Sequence, residues 1–466
     1  MIALLVLAGG SVAMASISGT TARRGLPSHV RLQQIDGGRH YFARFSSASR
    51  RAVTRASGHT APADMSTFDS SRFYPISVYD QTLGCTTSCG EGSSWDPRLL
   101  TAYRNEGING FISLYNGYNR SMMRGIQTYG MWAIDWPVAP SYPNPLRGYV
   151  WFDEPDGGAI ACQTIPPPGA LGETVACGPD SSGNVPASTI ARVTQDLHSA
   201  RGAGDPTRVV YGNYTGGHVA ANAGMSRSDA GAYVNAVDVA SYDDYIIEGA
   251  YEPDHNLWRQ YDDMVSVRRE ARYSHPIWCY IEAGDPETHS QWSGITVTPA
   301  METAEAWNAV IGGARGITWF DHDFGGSDSG YANSSSDLVD PNPAFAGLQT
   351  AIRSWDREIE RLAPILNVPF ATGYVSRTSV TGSGNSMNEM AKYDARSNRF
   401  YIFAAPRFNS TQTATYTVAG GYSGPVTVYG EHRTVMAAKG VFSDGVSGQT
   451  AVHVYVVPNA GHSAPY

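Results

Sequence analysis

GYVWFDEPDG, residues 148–157, runs from aromatic and β-branched side chains straight into three carboxylates, Asp153, Glu154 and Asp156, gathered around Pro155. A short apolar run of this kind reads as a β-strand. Acids clustered at its tip need water, a partner or a substrate, because an unpaired buried charge is costly. Seven other stretches share the pattern of a β-branched and aromatic run ending in polar residues: FYPISVYD (73–80), INGFISLY (108–115), GMWAIDW (130–136), TRVVYGNY (207–214), VDVASYDDY (237–245), PIWCYIEA (276–283) and RGITWFDHD (315–323). GYVWFDE is the fourth of the eight.

Segments of helical periodicity lie between most of these runs: 96–107, 122–130, 186–202, 257–273 and 298–315, with 342–366 after the last. The connection at 137–147 carries four prolines and is too short for a full helix. Strands alternating with helices imply a parallel sheet, and eight such units suit a closed (β/α)8 TIM barrel of the α/β class. A doubly wound open sheet is the structural alternative. Against it, no glycine-rich phosphate loop follows the first strand, and polar or acidic residues end nearly every strand, where a barrel would gather them on one rim.

After Leu366 the texture changes to short alternating runs separated by Gly, Ser and Asn turns, the pattern of an all-β sandwich. Its expected role is to pack on the barrel, in preference to binding a ligand, since no exposed aromatic row stands out. At the other end, the apolar stretch IALLVLAGGSVAMAS closes on Ala13-Met14-Ala15, the small-x-small pattern of a signal-peptide cleavage site. Gly9, Gly10 and Ser11 interrupt it, which argues against a stable membrane anchor. The chain therefore divides into 1–15 as a signal peptide, 16–66 as a linker or N-terminal extension, 67–366 as the barrel and 367–466 as the sandwich, in an exported protein. Within the extension, residues 30–45 are able to add one strand to an outer edge.

The formal net charge of −9 argues against a surface that tracks nucleic-acid phosphates. In an exported chain Cys85 with Cys89, and Cys162 with Cys177, could each close a short loop, which leaves Cys279 over. CTTSC (85–89) has no His nearby in sequence, so a metal site is the weaker reading there.

Glu154 ends the fourth run and Glu282 the seventh, on opposite sides of a barrel mouth. Glycosidic hydrolysis needs such a pair, one carboxylic acid to protonate the leaving oxygen and one carboxylate to attack or support the oxocarbenium-like centre. The plainer alternative for each is a structural acid, in a turn or capping a helix. Along the seventh run Trp278, Tyr280 and Glu282 share one face and Cys279 the other, so a Glu282 in the mouth leaves Cys279 as a buried, inert thiol. Further candidates for binding a sugar at the rim are Asp80, Asn116, Asp135, Trp136, Asn213, Tyr242, Asp243, Trp319 and His322, with Tyr242 placed to orient Glu282. Asp321, His322 and Asp323 invite a metal reading that lacks partner ligands in the sequence. No metal and no cofactor is expected.

Glutamates on strands four and seven resemble the retaining clan of (β/α)8 glycoside hydrolases, which implies Glu154 as acid/base and Glu282 as nucleophile. That clan carries Asn before the acid/base, to bind the sugar 2-hydroxyl, where this chain has Asp153. An ionised Asp accepts a hydrogen bond without donating one, and its charge favours a protonated Glu154. The order FYPISVYDQ (73–81), FDEPD (152–156), WFDHDFGG (319–326), LAPILN (362–367), YGEHRTV (429–435), GVFSDGV (440–446) and AVHVYVVP (451–458) further resembles a family of secreted bacterial barrel proteins with a C-terminal β-sandwich, grouped with glycoside hydrolases. The resemblance implies an oligosaccharide or polysaccharide partner. The rival classes are a non-catalytic carbohydrate-binding protein on a degenerate barrel and a metal-dependent hydrolase. An esterase ranks lower for want of a G-x-S-x-G elbow.

Overall fold

A computed structural model of the chain describes residues 30–35, 40–45, 68, 70–81, 83–84, 94–114, 119–135, 146–150, 154, 156, 207–220, 225–247, 256–283, 298–321, 338–341, 343–381 and 387–461. Strands β1 (Val30–Ile35) and β2 (His40–Phe45) pair with each other as an antiparallel hairpin, so this part of the extension forms its own small sheet and does not extend another one. The signal-peptide reading of 1–15 lies outside the described residues.

Eight parallel strands then close on themselves: β3 (Ile76–Gln81), β4 (Gly110–Leu114), β5 (Trp132–Asp135), β6 (Leu146–Val150), β7 (Val209–Thr215), β8 (Val239–Asp243), β9 (Ile277–Glu282) and β10 (Ile317–Phe320). Each pairs with its sequence neighbour, and β10 returns to β3. This is the (β/α)8 barrel expected from the sequence. Helices α1 (Pro97–Glu106), α2 (Arg120–Thr128), α3 (Gly216–Val219), α4 (Arg227–Val234), α5 (Arg259–Glu270), α6 (Pro299–Gly312) and α7 (Ala346–Leu366) are described between and after the strands. The short α3 and α4 were not expected. Their starts and stops follow local chemistry where it is strongest: Asp96 and Thr298 cap α1 and α6 by accepting backbone N–H bonds, and Gly107 and Gly313 end them at φ +105° and +107°. The segments at 137–145 and 186–202 lie outside the described residues.

Period-two alternation sorts the strand residues into two cores. Ile76, Val78, Phe111, Ala133, Val210, Ala240, Ile277, Cys279, Ile281 and Ile317 face the helices. Ile112, Trp132, Ile134, Val209, Tyr211, Val239, Trp278 and Tyr280 fill the barrel together with Phe68, which enters from the segment ahead of β3. The Phe68 ring meets Trp132 at 5.3 Å and Trp278 at 5.1 Å, both edge-on, and the two indoles meet at 5.6 Å. Two indoles leave no room for side chains on the strands beside them. A Cβ at Gly110 would overlap the Trp132 indole, and one at Gly316 would lie 2.7 Å from the Trp278 ring.

The C-terminal unit is a sandwich of a three-stranded sheet, β11 (Val375–Thr381), β14 (Thr411–Val418) and β17 (Val441–Ser447), on a five-stranded one, β12 (Met387–Asp394), β13 (Arg399–Pro406), β18 (His453–Pro458), β15 (Gly424–Val428) and β16 (Arg433–Ala437). Tyr416 and Phe442 from the smaller sheet pack at a tilt against Tyr455 from the larger, at 5.5 and 5.2 Å. The other face of the larger sheet presents Met390, Phe403 and Val454 to the helical layer, where Phe403 lies 6.0 Å from Trp307 of α6. A polar clamp holds the same junction. Arg407 grips Asp262 of α5 through both terminal guanidinium nitrogens, stacks 4.7 Å over Trp258 and donates from Nε to Asn388, which in turn donates to Asn308 of α6 at 2.6 Å.

The indole-filled interior makes a specific demand. Gly110→Ala should destabilise the protein by about 1–3 kcal/mol in urea denaturation, the usual cost of overpacking. Gly217→Ala, with nothing within 4 Å of its new Cβ, should be close to neutral.

Candidate active site

The C-terminal ends of the barrel strands carry the polar groups, as the fold leads one to expect. β6 ends at Val150, and Glu154 follows it with φ +43°, a left-handed conformation that a glutamate adopts only when its surroundings impose it. Asp156 is fully buried and accepts the N–H of Thr215 at 2.9 Å, which ties this turn to the end of β7. Its other oxygen lies 3.5 Å from Nδ1 of His218 in α3. The neighbouring Asp156 carboxyl raises the imidazole pKa above its ordinary value, and Glu154 adds to the effect from farther away. His218 was not among the residues singled out from sequence. Only the turn-forming glycine pair before it in NYTGGHV marked the position.

On the next two strands Asn213 and Asp243 face the interior, buried, with Asn213 Nδ2 donating to Asp243 at 2.8 Å. An aromatic group completes this end of the barrel. Tyr79 meets Tyr280 edge-on at 5.3 Å and stacks on Phe320 at 6.0 Å, and Tyr245 lies 5.2 Å from Phe320. Tyr79, Tyr245 and Phe320 are half-buried and were not picked from sequence.

Glu282 is 1% exposed. One carboxylate oxygen accepts the N–H of Ile247, in the turn after β8, at 2.6 Å, and the negative charge of this carboxyl is felt by Glu305 of α6. Trp278 and Tyr280 are inside the barrel, and near Glu282 the half-buried Asp244 and the buried Asp263 act on one another. Burial pushes Glu305 and Asp263 well above the carboxylate range, and in each case the neighbouring acid pushes the same way. Low dielectric and like charge act together here.

Two of the expected rim residues do not reach the rim. Tyr242 points outward, its hydroxyl 3.1 Å from Gln260 Oε1, because Asp243 takes the inward direction and adjacent strand residues alternate. Its hydroxyl therefore serves Gln260, which in turn donates to Glu305. Trp319 points outward as well, with its indole N–H on Asp356 of α7 at 3.0 Å, since Thr318 faces in and meets Ser77. Asp135 is buried and accepts the N–H of Leu114 at 3.3 Å, holding the end of β4. Asn116, Trp136, Asp153, His322 and the side chain of Asp80 lie outside the described residues. So do Asp323 and the four cysteines 85, 89, 162 and 177. Asp321 is fully buried and accepts the Tyr103 hydroxyl at 3.2 Å. Among the described residues no group of three His, Cys, Asp or Glu side chains is arranged to hold a metal ion. Cys279 is an unpaired, buried thiol facing the helices, and burial raises its pKa well above the ordinary value, as suits an inert side chain.

The Asp156 pair should be visible by NMR. His218 should titrate above 6.5 in the native protein and fall toward that value in Asp156→Asn, with the fold unchanged. The raised pKa also means that this pair's stabilisation is complete below the unfolded value and is lost as pH rises through the folded one, so Asp156→Asn should flatten stability across that window.

No family model and no curated protein matches the chain. Among solved structures, it is similar to an alpha-amylase from Geobacillus thermoleovorans complexed with acarbose, at 11% identity over 85% of this chain and 99% of that one, with a TM-score of 0.48. An Anoxybacillus alpha-amylase gives 9%, 84%, 100% and 0.47 on the same measures. A GH30 endoxylanase from Clostridium papyrosolvens gives 8%, 83%, 97% and 0.41. At such identities the likeness concerns the course of the chain and leaves the chemistry of the site to its own residues.

Proposed function

We propose that the protein is an exported glycoside hydrolase that cleaves a polysaccharide or cell-wall glycan with retention, using Glu154 as acid/base and Glu282 as nucleophile. The observation that carries this reading is the position of the two glutamates, one just past the fourth strand and one ending the seventh strand of a closed parallel barrel. Such a pair brackets a bound sugar, so that one carboxylic acid protonates the leaving oxygen while the other carboxylate attacks the anomeric carbon. The left-handed backbone at Glu154 supports a functional turn, since strain of this kind collects where a side chain must be aimed. Asn213 and Asp243 offer hydroxyl partners, and Tyr79, Tyr245 and Phe320 offer flat faces for sugar C–H surfaces. Asp80, Asn116, Trp136, Asp153 and His322 belong to the same proposed set. Export rests on the apolar stretch 1–15 with its Ala-Met-Ala ending. Among the described residues no helix is long and apolar enough to cross a membrane.

A second reading, a carbohydrate-binding protein without turnover, draws on one observation, the near-complete burial of Glu282. A panel of purified glycans separates the two. The hydrolase reading expects turnover by the native chain, a loss of about a hundred- to ten-thousand-fold in kcat for Glu154→Gln and for Glu282→Gln, and a product anomer matching the substrate by NMR. Glycan binding with no turnover on any member would establish the binding protein instead.

A further inference from the structure

Glu154 holds a backbone conformation that its own sequence opposes. Its φ of +43° lies in the left-handed region, which every residue with a Cβ resists. Pro155 follows, and the ring of a proline drives the residue before it toward extended φ and ψ. A turn disfavoured on both counts needs a hold from elsewhere in the structure. We propose that Asp156 is a positioning residue for Glu154: its buried carboxyl anchors the turn after β6 to the end of β7 and so keeps Glu154 in the left-handed conformation. The catalytic side of this inference rests on the acid/base role given to Glu154 above. The anchoring does not.

Asp156 comes two residues after Glu154 and is fully buried. Its Oδ1 accepts the N–H of Thr215, the last residue of β7, at 2.9 Å. Its Oδ2 lies 3.5 Å from Nδ1 of His218 in α3, the helix that begins at Gly216. One carboxyl thus reaches both a strand end and the helix after it, across 59 positions of sequence. The groups it reaches are themselves fixed. Thr215 stands in register with Asp243 on β8. A Cβ at Gly216 would fall 2.3 Å from that of Asp244 and 2.7 Å from the Asp243 carbonyl oxygen, so the backbone here packs directly on the end of β8. Asp156 therefore ties the turn to the rigid wall of the barrel. A buried carboxyl also resists letting go, because its oxygens have no bulk water to turn to.

The anchoring can be measured without a substrate. Glycine enters the left-handed region freely and alanine does not, so at position 154 the two report the backbone preference while both lack the carboxyl. In urea denaturation Glu154→Gly should be more stable than Glu154→Ala by about three- to tenfold in the unfolding constant, the left-handed strain less glycine's extra freedom in the unfolded chain. In an Asp156→Ala background the turn can relax, and this preference for glycine should shrink by about threefold or vanish. Thr215→Pro makes the same test from the other partner, since its φ of −62° already suits proline and the substitution removes the donated N–H. An undiminished glycine preference in either background, or none in the native one, would overturn the proposal whether or not the protein is a glycosidase.

Where a glycan is turned over, Asp156→Ala should lower kcat about a hundredfold at little-changed KM, because a displaced acid leaves the sugar-binding groups in place. Asp156→Asn keeps an oxygen for the Thr215 N–H and should recover most of that loss. Native kcat in Asp156→Ala, or equal losses in the alanine and asparagine variants, would also overturn it.

Discussion

Filling the barrel interior is the constraint on which the rest of the structure depends. Eight parallel strands enclose a cylinder that must be packed to protein density, and here two indoles and a phenyl ring occupy its N-terminal half. That choice dictates the glycines at 110 and 316, where no side chain fits beside an indole. It also divides the interior. With the lower half largely aromatic, the inward-facing Asn213 and Asp243 fall toward the C-terminal ends of their strands, as do Tyr79 and Tyr280. Trp278 anchors β9 in the packed half, and the same strand ends at Glu282, so the strand's position sets where that carboxylate stands.

The seam between β8, β9, α5 and α6 concentrates carboxyl groups in a largely buried region. Negative charge is expensive there, and burial together with the neighbouring acids raises the pKa values of Glu305 and Asp263. Gln260 bridges this seam, with one amide serving the Asp244 backbone and the Glu305 carboxyl while a tyrosine and a thiol hold it in register. On the opposite side of the mouth the charge logic is different, since Asp156 faces an imidazole, His218, whose pKa it raises. The two proposed catalytic glutamates therefore sit in electrostatically distinct settings, which is what separate acid and nucleophile roles require.

Much of this architecture could be read directly from the sequence, because eight strand-like runs separated by helical periods admit few folds. The same alternation placed Cys279 on the helix side of β9. It also held the means to correct two expectations. Tyr242 and Asp243 are adjacent, as are Thr318 and Trp319, and adjacent residues in a strand cannot both face the mouth. Other features left fainter traces. His218 follows a short strand-end turn with no periodicity to announce it, and Tyr79 and Phe320 look from sequence like ordinary strand aromatics. Glu305 had a readable signal, an acid on the apolar face of PAMETAEAWNAVIG, but only the fold reveals that the face points toward Glu282. Hydrogen-bond partners drawn from distant segments, such as Ile247 for Glu282, are set by tertiary packing and leave no local pattern.

The five-stranded sheet of the C-terminal unit is covered on both sides, by the smaller sheet on one face and by the helical layer on the other. It therefore behaves as an interior wall of the whole molecule and not as an appended module. Phe403 and Val454 are as much a part of the hydrophobic core around α6 as Trp307 is, and Arg407 is part of the polar fabric of α5. A lineage carrying this chain could not trade one half for another without redesigning the shared surface, so the two halves are bound to change together.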